Sequence, residues 1–212
     1  MLKPIPINIY KRDSELNIAG FFPVSKSLGP EQRALLWLQG CLKNCRGCIT
    51  PEMRAVKTKE FVHAETMAGL IAEIQGSAGV TVIGGEPMLQ VPALSLLFSL
   101  LKNKYEMTTM VYTGYYIEQL MQTDDEKMTV LLDNTDILID GPYVQSLDYS
   151  QKWRGSENQR IHFLTEYYKQ WQWVMDIRKR DVEIHVNDYG QYMLLGIPTK
   201  ELYNYYYKFC SK

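Results

Sequence analysis

Three of the four cysteines in this 212-residue chain fall within eight consecutive residues, Cys41-Leu42-Lys43-Asn44-Cys45-Arg46-Gly47-Cys48, while Cys210 lies almost at the end. A secreted disulfide framework would spread an even set of thiols along a short chain, whereas this C-x3-C-x2-C spacing points to metal ligation or thiol chemistry. Thiolates are soft ligands that select zinc, cuprous copper or iron–sulfur clusters. A cube of four irons held by only three protein ligands leaves one iron open to bind something else. Spacing alone leaves a rival, a structural zinc completed by His63, His162 or His185, although no histidine lies near the triplet in sequence. A redox pair made of Cys45 and Cys48 is weaker, because it gives Cys41 no role.

Other short motifs carry chemistry only in company. Gly84-Gly85-Glu86-Pro87 combines flexible backbone with a carboxylate, and Thr113-Gly114 and Asp140-Gly141-Pro142 are polar turns after apolar runs. Glycines let a backbone approach a ligand closely, and a carboxylate beside them can accept hydrogen bonds from an ammonium group.

The elements that position these motifs alternate. Apolar runs at Arg33–Gln39, Val80–Ile83, Met107–Tyr112 and Ile137–Asp140 read as buried strands. Between them, Ala64–Gln75 repeats apolar residues at helical spacing and stops at Gly76. Val91–Lys104 is a helix apolar on most sides, and Ile117–Met121 and Lys127–Leu132 are shorter helical patches. This β-α-β-α-β-α-β order implies a parallel sheet with right-handed crossovers, either an open doubly wound sheet or part of a (β/α) barrel. In such sheets the loops at the carboxyl ends of the strands converge, so one site could use all the motifs.

Beyond Tyr143 the pattern changes. Gln145–Asn158 is polar and aperiodic and reads as a long loop. Asp181–Val186 and Gln191–Leu195 flank a turn-rich quartet and predict a hairpin, and Thr199 can cap a last helix to about Phe209. Arg178-Lys179-Arg180 reads as a solvated run, and Trp171, Trp173 and Tyr203–Tyr207 as packing or a subunit contact. The histidines read as structural or surface residues, and Cys210 as a free thiol. A formal net charge of −1 with 46 % hydrophobic residues allows a substantial core and carries no commitment to nucleic acid. Met1–Tyr10 alternates Pro and Ile without a basic start, and no stretch is long and apolar enough for a membrane span, so a soluble cytoplasmic protein is expected.

Together, the cysteine loop after the first strand and the Gly84-Gly85-Glu86-Pro87 turn after the second resemble the radical S-adenosylmethionine (SAM) superfamily. The resemblance implies that Cys41, Cys45 and Cys48 bind a [4Fe-4S] cluster and that SAM chelates the open iron through its amino and carboxylate groups. The turn of Gly84, Gly85 and Glu86 would then hold the amino group. Further matches are to the activating proteins of anaerobic ribonucleotide reductase. They are Gly47 between the second and third cysteines, Tyr112-Thr113-Gly114-Tyr115, Asp136–Tyr143, Trp153–Ile161, the final hairpin and Gly196-Ile197-Pro198.

By extension, Gly47, Ile49, Thr113, Asp140, Asn158 and Arg160 join the expected SAM-binding positions. The implied fold is α/β, a partial (β/α) barrel of about six β/α units with parallel strands plus a C-terminal β-hairpin. It would form one domain over residues 1–212, with its core at about 17–198 and a C-terminal helix over 199–212. One segment departs from the branch: after the third cysteine it has an aromatic residue, Asn-Pro and a nearby Trp, where this chain has Ile49-Thr50-Pro51-Glu52-Met53.

The implied chemistry is homolytic. The cluster, reduced by one electron from a donor such as flavodoxin or ferredoxin, would split SAM into methionine and a 5'-deoxyadenosyl radical that removes a hydrogen atom. As an activase the protein would take the α-hydrogen of a glycine in a partner glycyl-radical enzyme; as a stand-alone enzyme it would modify a peptide or small molecule. A zinc-stabilised binding module is the third reading. Cleavage of SAM needs no general acid or base, so no catalytic residue of that kind is expected.

Overall fold

The register of the central strands shows how the sheet is built. Leu36 lies beside Val82, Val82 beside Val111, and Val111 beside Leu138, one apolar row crossing parallel strands β2 (Arg33–Leu38), β4 (Gly79–Gly84), β5 (Thr108–Tyr112) and β6 (Ile137–Asp140). The row belongs to a buried cluster that also takes in the helices α1 (Ala64–Ala72), α2 (Val91–Asn103) and α4 (Glu126–Asp133). Because side chains alternate along a strand, the neighbours Leu35, Met110, Ile137 and Ile139 face the other way and are buried there as well. Burial on both faces explains why these strands read as nearly continuous apolar runs. These observations come from a computed structural model that describes residues 4–210, apart from the side chains of Tyr207, Phe209 and Cys210. The free-thiol expectation for Cys210 therefore lies outside the described residues.

Three further strands complete the sheet: β1 (Glu15–Ser25), β3 (Glu60–His63) and β7 (Arg160–Phe163), in the order β3-β1-β2-β4-β5-β6-β7. β1 is antiparallel to both β2 and β3, and β7 is antiparallel to β6. The expectation of about six parallel β/α units is thus corrected to four parallel strands with antiparallel edges. Chain length between strands explains the difference. A parallel neighbour needs a crossover of about a dozen residues or more, usually a helix; the Lys26–Gln32 link is too short, and Gly141–Gln159 contains no α-helix.

The helices match expectation, and α2 explains its apolar sequence by packing between α1 and α4 while covering the sheet. α3 (Ile117–Met121) follows β5. The face opposite the helices is covered differently. Trp153, Tyr168 and Val174, from the polar loop and from a 3-10 segment at Glu166–Asp176, pack on Met110, Ile137 and Ile139. Leu195 packs on Leu28 and Leu35; it belongs to the hairpin of β8 (Val182–Val186) and β9 (Tyr192–Gly196), which is followed by α5 (Lys200–Cys210).

Arg33 opens β2 inside what reads as an apolar run, yet is only 1 % exposed. Its guanidinium donates to Thr81 Oγ1 (3.0 Å), Thr108 Oγ1 (2.9 Å), Val80 O (2.9 Å), Thr108 O (3.2 Å) and Tyr168 Oη (3.1 Å), stitching the amino ends of β2, β4 and β5 to the 3-10 segment. A buried cation is tolerated when its donors are matched in this way. No helix among the described residues is long and apolar enough to cross a membrane.

Candidate metal and cofactor site

The carboxyl ends of the parallel strands open onto a cavity of about 530 Å³. Cys41, Cys45 and Cys48 reach it from the loop after β2, Gly84, Gly85 and Glu86 from the end of β4, Thr113 and Gly114 from the end of β5, and Gly141 from the end of β6. The convergence expected of a parallel sheet is present.

The cysteine loop and the glycine turn are one unit. Gly85 N donates to Leu38 O (2.7 Å) and Glu86 N to Gly40 O (2.8 Å), bolting the turn to the residues that enter the loop. A Cβ on Gly85 would lie 2.2 Å from Gly40 O, and Gly84 has φ +110° with a Cβ position 2.5 Å from Leu38 N. Both positions therefore need glycine, chiefly for this close passage of two backbones.

From the other side, Gly40 N donates to Met53 O (2.8 Å) and Cys41 N to Arg54 O (3.0 Å). Those carbonyls belong to a 3-10 turn at Pro51–Arg54, so the departing Ile49–Met53 segment still supports the loop through its backbone. Thr50 Oγ1 donates to Gly84 O (3.3 Å) and lies 3.9 Å from Cys48 Sγ.

The three cysteines are free and partly buried. Desolvation pushes the Cys41 thiol up to about 11, opposed by its bond from Lys43 N, and burial raises Cys45 too. Both shifts favour the neutral thiol, and a bound metal centre would supply the positive charge that makes a thiolate. Among the described residues, no three His, Cys, Asp or Glu side chains are grouped to hold a single metal ion. The histidines that could complete a zinc site face carboxylates instead: His63 is 3.7 Å from Glu15, His162 3.0 Å from Asp140 and His185 3.0 Å from Glu183. Three free thiols around an open cavity fit a larger cluster with one uncapped corner.

Glu86 is 1 % exposed. It accepts from Thr113 Oγ1 (2.7 Å) and Met88 N (3.1 Å) on one oxygen and from Gly114 N (2.8 Å) on the other, all neutral donors. Burial raises its carboxyl above the usual range, and these bonds oppose the shift. Lys43, which lines the same cavity, opposes the shift through its charge, and an amino group entering the cavity could donate to this carboxylate as well.

The remaining expected positions divide. Ile49 and Thr113 line the cavity with the cysteines and Gly84, Gly85 and Glu86, whereas Gly47, Asp140, Asn158 and Arg160 are not among the lining residues. Asp140 instead accepts from Arg160 Nε (2.9 Å) and Ile117 N (2.8 Å); His162 is near enough for an ion pair, though not aligned for a hydrogen bond. Arg160 also forks onto Glu118 (2.8 and 2.7 Å). Asn158 donates to Pro142 O (2.7 Å), and a Cβ on Gly47 would lie 3.0 Å from the Gln145 amide.

The residues that do line the cavity are the neighbours Gly141 and Gln159, and Gln159 donates to Gly141 O (2.9 Å). In extended chain, adjacent side chains point apart, so a motif can be placed correctly while the contacting residue is one position away.

Sequence reasoning also missed Lys43, Phe21 and Trp37, and the wall made by Tyr192–Pro198 with Tyr203 and Tyr206. Tyr206 Oη donates to Tyr192 O (2.6 Å), tying α5 to the hairpin. The aromatic run at Tyr203–Tyr207 is the available signal, and by itself it suggests packing or a subunit contact.

A family profile described as a 4Fe-4S single cluster domain matches residues 27–162. The chain belongs to that family. Within this 4Fe-4S single cluster domain, the matched span holds the whole cysteine loop, the glycine turn and strands β2 to β6. Three curated relatives each carry the description anaerobic ribonucleoside-triphosphate reductase-activating protein. The one from Enterobacteria phage T4 is 29 % identical over 151 residues, 69 % of this chain and 93 % of its own. That from Vibrio cholerae is 28 % identical over 71 % of this chain and 99 % of its own, and that from Pasteurella multocida 30 % identical over 72 % and 100 %. The crystal structure of QueE from Escherichia coli is a distant match, with TM-score 0.38 and 23 % identity over 47 % of this chain and 52 % of that one. Residues after 162, including the hairpin and α5, lie beyond the family match.

Proposed function

We propose that this protein is a radical SAM activase that generates a glycyl radical on a partner, and that the partner is an anaerobic ribonucleotide reductase. The observation that carries the reading is the rigid junction of the cysteine loop with the Glu86 turn, which presents three thiols and a buried carboxylate to one cavity. The near-complete coverage of relatives named as activating proteins supports the choice of partner.

Cys41, Cys45 and Cys48 hold the cluster and leave one iron open. Glu86, oriented by Thr113 and Gly114, would accept an N–H of the SAM amino group. When bound, the reduced cluster and SAM together supply a 5'-deoxyadenosyl radical for hydrogen abstraction. The apolar residues of the cavity wall exclude water around the reacting groups. Gly47, Asp140, Asn158 and Arg160 support the pocket from behind, with Asp140 and Arg160 fixing the β6 end through Ile117 and Glu118.

The reading extends to a single domain with its core at about residues 17–198, soluble in the cytoplasm and reduced by a flavodoxin or ferredoxin. It includes a partial (β/α) barrel, supported by the unreversed order β2-β4-β5-β6 and by helices packed on one face. A stand-alone enzyme acting on a peptide or small molecule is the second reading, favoured by the Ile49–Met53 departure and by a cavity wall drawn from beyond the family match.

Anaerobic reconstitution with iron and sulfide, then reduction with SAM, is the test. The protein should release 5'-deoxyadenosine, Cys48→Ala should not, and added anaerobic ribonucleotide reductase should show a glycyl radical by electron paramagnetic resonance. Release of 5'-deoxyadenosine with no glycyl radical would move the assignment to the stand-alone reading. Tight binding of one zinc without SAM cleavage would end both.

A further inference from the structure

Lys43 sits inside the cysteine loop, between Cys41 and Cys45, and is not one of the motif positions. Its side chain is half-buried and lines the cavity, with Nζ 3.6 Å from the centroid of the Tyr115 ring. Its backbone N donates to Cys41 Sγ at 3.3 Å, which anchors the residue at the cluster end.

Gly114 measures how near this lysine comes to Glu86. A Cβ built there would lie 3.2 Å from Lys43 Cγ, 3.5 Å from Lys43 Cε and 3.3 Å from Glu86 Oε2. Cation and anion therefore flank one glycine, whose own amide donates to the carboxylate at 2.8 Å.

Among the described lining residues, Lys43 is the only Lys or Arg; the acidic ones are Glu52, Glu86 and Asp148. Asp148 is already paired with Arg180 at 2.6 Å, and the described ion pairs do not include Lys43. The aromatic face of Tyr115 holds the ammonium by cation–π attraction, a contact that leaves its N–H groups available.

An α-amino acid head that chelates an iron through its nitrogen and one carboxylate oxygen keeps its N–H donors and a second carboxylate oxygen free. A pocket that orients it needs an anion and a cation a few ångströms apart, both sheltered from water. We propose that Lys43 binds the methionine carboxylate of SAM while Glu86 takes an N–H of its amino group. The assignment rests on the SAM reading above. It makes the loop residue between two cluster ligands a determinant of cofactor selectivity, because a ligand lacking the carboxylate meets Glu86 and leaves Lys43 without a partner.

The experiment is a calorimetric titration of the anaerobic, cluster-loaded protein with SAM and with decarboxylated SAM, which keeps the ammonium and sulfonium and lacks the carboxylate. Lys43→Met should weaken SAM binding about ten- to hundred-fold, the worth of a charge-assisted hydrogen bond. The same substitution should change binding of decarboxylated SAM by less than about two-fold, and Lys43→Arg should keep most of the SAM affinity. Iron content is measured first, and Lys43→Gln is used if the methionine variant fails to load its cluster. Equal losses for both ligands would show a structural role and overturn the proposal. Unchanged or tighter SAM binding would show that the lysine merely fills the pocket, and would overturn it as well. Wild-type protein that binds no SAM would fail at the first titration, ending the SAM reading itself before any variant is compared.

Discussion

Thr113 Oγ1 donates to Glu86 Oε1 at 2.7 Å, joining the end of β5 to the end of β4 across the floor of the cavity. Glu86 is fully desolvated, so each donor it has matters. Thr113→Val keeps the shape and removes one of the three bonds, leaving a carboxylate that burial pushes further up. The expected cost is about 1–3 kcal/mol, read as a loss of SAM affinity between about five-fold and a hundred-fold, with Thr113→Ser retaining most of it.

Gly85→Ala should fail for a steric reason. The new methyl would stand 2.2 Å from Gly40 O, and both of its neighbours are backbone that holds the cysteine loop. Overpacking of this kind costs about 1–3 kcal/mol or more. The expected outcome is a lowered melting temperature and substoichiometric iron after reconstitution, whereas Gly69→Ala, half-buried on α1 with only the Tyr105 hydroxyl 3.9 Å away, should load normally.

Acid should loosen the far end of the site. Burial pushes the Asp140 carboxyl up, but His162, Arg160 and the Ile117 amide more than offset it and hold it well below the usual carboxylate range. A depressed folded value means the unfolded chain binds the extra proton first. The stabilisation is therefore full above the unfolded pKa of about 4 and is lost as pH falls through the folded value. Urea unfolding between pH 7 and pH 3 should show stability falling below about pH 4. Asp140→Asn should be less stable at pH 7 and show a shallower fall; an unchanged slope would refute the assignment.

Removing the charge at Arg33 tests the opposite end of the sheet. Arg33→Met removes a buried donor from the carbonyls of Val80 and Thr108 and from the hydroxyls of Thr81, Thr108 and Tyr168, although the hydroxyls keep other partners. A loss of about 3 kcal/mol in chemical denaturation is expected. Cluster loading should survive at low temperature, since the cavity lies at the carboxyl ends of the same strands.

Leu195→Ala addresses the C-terminal wall. Leu195 is buried against Leu28 and Leu35, and truncation should cost about 2–3 kcal/mol locally. Limited proteolysis should cut within residues 176–200 faster than in the wild type, while the helix-covered core around Val82 and Val111 resists.

Much of this molecule was readable without coordinates. The four parallel strands, α1, α2 and α4, and the hairpin all follow from local pattern, because each depends on side-chain periodicity within its own segment. The edge strands were not readable. β1, β3 and β7 are defined by the partner each pairs with, and the shortness of a link such as Lys26–Gln32 gains meaning only once β2 is known to be its neighbour. The 3-10 segment at Glu166–Asp176 is held by Tyr168 and Val174 against the sheet, a tertiary cause with no periodic signature.

The site divides in the same way. Cys41, Cys45, Cys48 and the turn at Gly84–Glu86 stood out as candidates by spacing and residue type, and the family resemblance rather than spacing supplied their expected roles. Which neighbours face the cavity was decided by the fold. Gln159 rather than Asn158 or Arg160, Gly141 rather than Asp140, and Lys43 beside Tyr115 all depend on strand register and on the approach of β5 to the cysteine loop. Sequence spacing picks out candidate ligands; the direction of a side chain depends on the backbone packed behind it.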